Sequence, residues 1–379
     1  MTPEPGQNPP TPPRHGTAAP AIYPAGGAAR TRWILGLRGA RQPVTARRPN
    51  AFFVEAERAA DGCVVPVVTI LLTNRECPYR CVMCDLWQNT LPSPVPPGAV
   101  PSQIDYALRR LRAAHPARIP IAGGPMPGAA AHPTRCQIKL YNAGSFFDPG
   151  AIPRQDYPAI VARVTGFERV IVECHPALVG DRVIHFRDLL EQAGGPARAR
   201  APRLEVALGL ETAHAGVLAK LNKCMSLPQF RRAAQFLQRQ GIALRVFVLV
   251  QPPFLAPAEA LEWTQRSVEF AFDCGATAVT LIPTRPGNGA LEALAAQGEF
   301  VPPRLSALES ALAAGLAPGR GRVFADTWSL EPFADCPACF AKRVDRLRRL
   351  NLAQQVLPAI RCAVCGAGEG GPLASRPSG

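Results

Sequence analysis

Length and composition restrict what this chain can be. It has 379 residues, 47% of them hydrophobic, which is enough for one large core and a small appendage. An apolar run of about 18 residues is absent, as is a compact apolar segment near the N-terminus, so we expect no membrane span and no secretory signal. The net charge is +14, from 42 basic and 28 acidic residues, which predicts a polyanionic partner such as RNA. Compositional bias is the competing explanation, because only four of the basic residues are Lys.

The N-terminal segment is rich in Pro, Gly, Ala and Arg and shows little periodicity. We predict a disordered basic tail over residues 1–55, with a helical pattern confined to 31–41. The first 50 residues contain seven Arg and one Glu, so this tail would strengthen RNA binding. The alternative is an inert, solvated tail.

Strands alternate with helical segments from about residue 60 to residue 290, which is the pattern of βαβ units in a parallel sheet. The predicted strands are 67–72, 137–141, 169–173, 203–210, 242–250 and 278–282. The predicted helices are 102–114, 183–193, 227–240 and 257–274. Six such units cannot fill a closed eight-stranded barrel, so the predicted fold class is α/β, a partial TIM-like (βα)6 barrel over residues 56–305. A Gly-rich loop at 123–134 is interpreted as a flexible insertion.

Three cysteines directly follow the first predicted strand, at the spacing C-x3-C-x2-C: Cys77, Cys81 and Cys84. Thiolates are soft ligands that suit iron–sulfur clusters and zinc. Three ligands on one loop can hold three irons of a [4Fe–4S] cluster and leave the fourth iron open for chemistry. A zinc site with a distant fourth ligand, or three unrelated cysteines, are the alternatives. Tyr79 and Trp87 flank the loop and are expected to shield it from water.

The motif resembles the signature of the radical S-adenosylmethionine (SAM) superfamily. The resemblance implies that the open iron binds SAM and that an electron from the cluster cleaves it to a 5′-deoxyadenosyl radical. C-V-M-C-D at 81–85, K-L-Y-N-A-G-S-F-F-D-P at 139–149 and G-L-E-T at 209–212 are most similar to the radical subunit associated with archaeosine synthesis in tRNA. Met83 stands where many members have an aromatic residue, and the Gly-Gly-Glu motif common after the second strand is missing.

Ligands of parallel α/β sheets collect at the carboxyl ends of the strands, so the SAM contacts are expected at these strand ends. Asn142, Gly144 and Ser145 occupy the position of the missing motif and are predicted to bind SAM. Glu211 is predicted to contact SAM or to form a structural salt bridge, and Arg245 to pair with a carboxylate of SAM or of the fold. No residue is identified as catalytic; Cys174 and Cys224 are thiols near strand ends.

A second group of cysteines forms two C-x2-C pairs in a predicted metal-binding module over residues 306–370, followed by a disordered tail at 371–379: Cys336, Cys339, Cys362 and Cys365. Zinc is favoured because four protein thiolates leave no open position, and a second iron–sulfur cluster is the alternative. The predicted basic helix 341–357 lies between the pairs. Its candidate phosphate contacts are Arg343, Arg346, Arg348 and Arg349.

These features predict a cytoplasmic radical SAM enzyme, with a [4Fe–4S] cluster, SAM and Zn²⁺ as cofactors, that modifies a tRNA base. Cysteine clusters with metal-ligand spacing argue for a reducing compartment. Flavodoxin or ferredoxin is the expected kind of electron donor. A radical SAM enzyme that acts on a peptide or small metabolite is one alternative. A non-catalytic metal-binding protein that contacts nucleic acid is another.

Overall fold

The computed structural model of this chain describes residues 22–116, 119–120, 135–194 and 201–367. Residues 1–21 of the predicted tail, the predicted loop at 123–134 and the tail at 371–379 lie outside the described residues. No helix among the described residues is long and apolar enough to cross a bilayer.

A single mixed sheet organises the described chain, with its strands in sequential order from β1 to β8. β1 pairs antiparallel with β2, and every later neighbour pairs parallel. The six predicted strands are present as β2 to β7, so the partial barrel is confirmed, with one further strand at each edge. The strands are β1 (Ala51–Arg58), β2 (Val64–Leu72), β3 (Gln137–Asn142), β4 (Arg169–Cys174), β5 (Arg203–Glu211), β6 (Ala243–Val250), β7 (Ala278–Pro283) and β8 (Arg322–Ala325).

Helices connect the parallel strands and bury their apolar faces against the outer face of the sheet. The predicted helices are present within a few residues of their expected bounds, and α3, α5, α8 and α9 were not predicted. The helices are α1 (Gly27–Gly36), α2 (Ala99–Ala114), α3 (Tyr157–Val164), α4 (Asp181–Gln192), α5 (Ala215–Lys220), α6 (Leu227–Arg239), α7 (Ala260–Asp273), α8 (Ala290–Ala296), α9 (Leu305–Leu316) and α10 (Pro337–Ala353).

The described structure begins inside the segment predicted to be a disordered tail. Residues 27–36 form α1, and residues 51–58 form the antiparallel edge strand of the sheet. Phe52 and Val54 pack against the main core, while Glu55 and Glu57 lie on the opposite, inward face. The inward carboxylates break the apolar pattern of the strand, which is why the sequence did not reveal it.

Buried ion pairs join the strands across the inward face of the sheet. Arg245 of β6 contacts Glu57 of β1 at 2.5 Å and Glu205 of β5 at 2.7 Å. Lys139 of β3 contacts Glu57 at 2.7 Å, and Arg169 of β4 contacts Glu205 at 3.2 Å. Burial alone would raise the pKa of Glu57, but the nearby cations outweigh it and hold that pKa well below its usual range. Edge strand β1 is thereby tied to the middle of the sheet, as a curled sheet requires.

The C-terminal helix covers the other edge of the sheet. The side-chain amide of Gln354 exchanges two hydrogen bonds with the backbone of Val323, at 2.8 and 2.9 Å. Asn351 does the same with Ala325, at 2.8 Å for both bonds. These two amides occupy backbone groups of β8 that a ninth strand would otherwise use. α10 also contacts β1, where Arg58 donates to the Leu352 carbonyl at 3.1 Å.

We predict that Arg245→Met lowers the free energy of unfolding by ~3–5 kcal/mol, because it leaves buried carboxylates short of a cation. Urea unfolding measures the loss. Arg266→Met is the matched control, since Arg266 pairs with Glu262 on an exposed helix face and its loss should cost no more than ~1 kcal/mol. Equal losses in the two variants would contradict a structural role for the inward ion pairs.

Candidate functional site: the cysteine loop and the strand ends around it

The three-cysteine loop begins directly after β2, at the carboxyl ends of the parallel strands. Gln103 of α2 holds its start, because the Gln103 amide bonds both the backbone N–H and the carbonyl of Thr73, each at 2.8 Å. The Asn74 side chain accepts a hydrogen bond from the Ala143 N–H at 3.0 Å, which joins the loop to the end of β3. Glu76 is buried and forms ion pairs with the guanidinium groups of Arg38 and Arg41, each at 2.6 Å. The loop is therefore fixed by the helix that follows it and by the chain that precedes the sheet.

Loops after three other strands also contact the cysteine loop. The Val82 N–H donates to the Leu221 carbonyl at 2.9 Å. The Asn288 amide donates to the carbonyls of Val82 and Cys84, at 2.8 and 3.3 Å. Gly144, with φ +131°, lies so close to Cys77 that a Cβ built on it would be 2.5 Å from the Cys77 Cβ. Only glycine fits there without displacing a neighbour, so the turn after β3 and the cysteine loop form one surface.

The three thiols of the loop are free to act as metal ligands. Cys77, Cys81 and Cys84 are partly exposed and free of disulfides. Among the described residues, only the four C-terminal cysteines bring three or more potential ligand atoms within 4.8 Å of one another. A [4Fe–4S] cluster binds each thiolate on a different iron, so it does not require the sulfurs to converge on one point as a single tetrahedral ion does.

Burial opposes a negative charge on these thiols. It raises the pKa of Cys77 to about 11 and of Cys81 and Cys84 to about 12, although the Lys223 ammonium lowers the first two in part. A bound metal supplies the positive charge that would hold all three as thiolates.

The predicted SAM contacts after β3 lie beside the cysteine loop. Asn142 is only 5% exposed, yet within the described part of the chain neither polar atom of its amide has a hydrogen-bond partner. A buried amide without a partner is costly, so a ligand that satisfies it would bind favourably. Ser145 is buried and its hydroxyl donates to the Cys174 sulfur at 3.5 Å.

Glu211 ends β5 in a left-handed conformation, with φ +67°, just after an irregularity in the pairing of β5 with β6. It forms a 2.7 Å ion pair with Lys223, and both groups are buried. Gly209 makes this possible, because a Cβ there would lie 2.3 Å from the Glu211 carboxylate and 2.8 Å from the Lys223 ammonium. Glu211 therefore forms the predicted salt bridge. It also lies near the cysteine loop, and its contact with SAM stays a prediction.

Sequence reasoning did not single out Lys223, Glu173 or His175. Burial raises the pKa of Glu173, at the end of β4, to about 8. Burial lowers the pKa of His175 to about 3, and its ring stacks on Tyr79 with centroids 3.6 Å apart. For Lys223 the rarity of Lys was the available signal, because two of the four lysines in this Arg-rich chain, Lys139 and Lys223, are buried.

Arg245 does not lie with the other predicted SAM contacts. It is 1% exposed and its guanidinium is committed to Glu57 and Glu205 near the other end of the strands. Arg245 therefore pairs with carboxylates of the fold, which is one of the two partners predicted for it.

The segment before the sheet crosses beside the cysteine loop. Residues 22–50 include six Arg and no acidic residue. Arg38 contacts Glu76 and lies over the Trp87 ring at 4.6 Å, and the Tyr23 hydroxyl donates to the Lys220 carbonyl at 2.6 Å. Four of the six Arg residues are exposed: Arg32, Arg41, Arg47 and Arg48. We call residues 22–50 the basic strap.

The second cysteine group converges at the start of α10, as the two C-x2-C pairs predicted. The Sγ atoms of Cys336, Cys339, Cys362 and Cys365 all lie within 4.8 Å of one another. The phosphate contacts predicted on the adjoining helix are wrong for two residues. Arg343 pairs with Glu309 at 2.5 Å, and Arg346 pairs with the same carboxylate group at 3.1 Å. Both guanidinium groups are buried, whereas Arg348 and Arg349 are exposed.

Comparison with known proteins gives distant relatives. No protein-family model matches this chain. It is 19% identical over 268 residues to an uncharacterized protein of Methanocaldococcus jannaschii, a match that covers 68% of this chain and 67% of that protein. It is 27% identical over 226 residues to archaeosine synthase subunit beta of Methanosarcina acetivorans, a match that covers 57% of this chain and 63% of that subunit. The match thus spans less than two thirds of the archaeosine synthase subunit.

Among solved structures, a radical S-adenosylmethionine methyltransferase from Kitasatospora setae, with cobalamin and a [4Fe–4S] cluster bound, matches with a TM-score of 0.37 and 16% identity. That match covers 56% of this chain and 36% of the methyltransferase. A similarity this partial leaves the activity to be argued from the residues of this chain. The sequence similarity to archaeosine synthase subunit beta agrees with the resemblance predicted from the motifs.

Proposed function

We propose that this chain is a radical SAM enzyme that binds a [4Fe–4S] cluster through Cys77, Cys81 and Cys84. The observation that carries the proposal is the packing of this loop against Gly144, because it joins the three thiols to a row of strand ends with unsatisfied and charged polar groups. When bound, the cluster supplies the electron that cleaves SAM into methionine and a 5′-deoxyadenosyl radical, which removes a hydrogen atom from the substrate.

The residues at the strand ends suit the amino acid part of SAM. That part carries an ammonium and a carboxylate, and the Glu211–Lys223 pair offers the complementary charges in a buried setting. Asn142 offers an amide donor and acceptor, and Gly144 with Ser145 forms the turn that adjoins the loop. We propose that Asn142, Gly144, Ser145 and Glu211 bind SAM, with Lys223 as a partner that the sequence did not indicate.

We further propose that the substrate is a base or adduct in tRNA. Two observations support this: the similarity to archaeosine synthase subunit beta, and the basic strap beside the strand ends. All twelve cysteines are free, which supports a reducing compartment such as the cytoplasm, where flavodoxin or ferredoxin would supply the electron.

The first test is replacement of a loop cysteine. We expect Cys81→Ala, purified anaerobically, to lose the iron of the cluster and to release no 5′-deoxyadenosine from SAM on reduction. Iron analysis and chromatography of the nucleoside products measure both effects. Cys63→Ala is the control, because Cys63 is exposed in the turn between β1 and β2 and should retain full activity. Undiminished SAM cleavage by Cys81→Ala would refute the assignment of this loop as the cluster site, whereas absence of SAM cleavage by the unaltered protein would favour a non-catalytic metal-binding protein.

The close contact at Gly144 gives a second prediction. Gly144→Ala should reduce cluster content and SAM cleavage by about tenfold or more, because the new methyl group collides with Cys77. Gly62→Ala is the control that distinguishes the collision with Cys77 from the backbone strain of a side chain at positive φ. Gly62 also has a positive φ, +87°, but its nearest neighbour is the flexible end of Arg58 at 3.6 Å. A normal iron content in Gly144→Ala would mean that the turn after β3 does not shape the cluster site.

The RNA proposal predicts tRNA binding that weakens steeply with salt. Changing Arg32, Arg47 and Arg48 to Gln should reduce the slope of log K against log salt by ~3, one for each lost phosphate contact. The matched control changes Arg231, Arg232 and Arg239 to Gln, which removes the same charge from exposed positions on α6. Equal effects in both variants would show that only overall charge matters. Absence of binding at physiological salt would favour a peptide or small metabolite as substrate.

A further inference from the structure

The four C-terminal cysteines are brought together from two sequence segments. Cys336 precedes the first residue of α10 and Cys339 lies in its first turn, while Cys362 and Cys365 lie in the chain that returns after the helix. Their sulfurs lie within 4.8 Å of one another, and Cys339 Sγ is 3.9 Å from Cys365 Sγ. That separation is far longer than the ~2.05 Å of a disulfide.

The spacing distinguishes the kinds of metal centre that four thiolates can form. Four sulfurs bonded to one zinc ion at ~2.3 Å sit at the corners of a tetrahedron with edges of about 3.8 Å. A [4Fe–4S] cluster binds each thiolate on a different iron, so its sulfurs lie further apart. The 3.9 Å contact agrees with the single ion, as does the convergence of all four sulfurs within 4.8 Å of one another.

The backbone around Cys362 is already arranged to support a bound thiolate. The Cys362 N–H donates to the Ala367 carbonyl, and the Gly366 N–H donates to the Cys362 carbonyl, both at 2.9 Å. Gly366 has φ +68°, which lets the chain turn back tightly. These backbone hydrogen bonds fix the chain that carries Cys362 and so orient it as a ligand.

We propose that Cys336, Cys339, Cys362 and Cys365 bind one tetrahedral zinc ion with no open coordination position. This ion joins the start of α10 to the chain that follows it. Because α10 covers β8 through Asn351 and Gln354 and contacts β1 through Leu352, the ion secures the helix that spans both edges of the sheet. The site is structural and is independent of the proposed SAM chemistry.

Metal analysis of two variants tests this proposal. A variant with Cys77, Cys81 and Cys84 changed to Ala should retain one zinc per chain and contain no iron. Cys339→Ser with Cys365→Ser should lose the zinc and keep the iron of the loop cluster. Four irons, a single iron or no metal in the triple-Ala variant would overturn the zinc proposal. The outcome does not depend on SAM cleavage, so this proposal and the proposed function can fail separately.

Two further measurements keep the test valid if the double-Ser variant does not fold. Cobalt(II) exchanged into the triple-Ala variant should give the visible absorption of tetrahedral cobalt–thiolate coordination, and an octahedral spectrum would overturn the proposal. Removal of zinc from that variant by a chelator should speed amide hydrogen exchange in α10 about tenfold or more and leave β5 unchanged. Unchanged exchange in α10 would refute the structural role.

Discussion

The ion pair between Arg245 and Glu57 joins the middle of the sheet to its antiparallel edge, and the site depends on the curvature that this contact maintains. Glu205, Lys139 and Arg169 extend the pair across the inward face. Buried charges are costly unless paired, so the arrangement tolerates few alternatives to the observed register. With the strands curled around this layer, their carboxyl ends converge, and the loops that carry the cysteines and the polar groups meet.

Missing side chains shape the strand-end surface as much as the present ones do. Gly209 leaves room for Glu211 and Lys223, and Gly144 lets the turn after β3 lie against Cys77. A side chain at either position would separate groups that the proposed reaction needs together. Asn142 contributes by its side chain instead. Its buried amide has no partner in the described structure and is a polar group in position for a ligand.

The sequence was informative where one physical pattern dominated. Apolar runs between helical segments predicted β2 to β7, and the cysteine spacing predicted two metal-binding regions. β1 and β8 escaped notice because charged side chains such as Glu57 and Arg322 point inward, and β8 has only four residues. The Glu211–Lys223 pair needed three-dimensional information, since a Lys beyond the strand end reaches back to it. Arg343 and Arg346 read as a basic surface because their acidic partner, Glu309, lies on another helix.

The amides of Asn351 and Gln354 have a consequence for how the protein behaves at high concentration. A parallel sheet that stops at a four-residue strand leaves donors and acceptors able to recruit a strand from another molecule. Here two side chains at the C-terminal end of α10 occupy the backbone N–H and carbonyl of Val323 and Ala325. The helix thus limits self-association through this edge of the sheet. Because two side chains occupy the outer backbone groups of β8, the sheet can end at a strand of four residues.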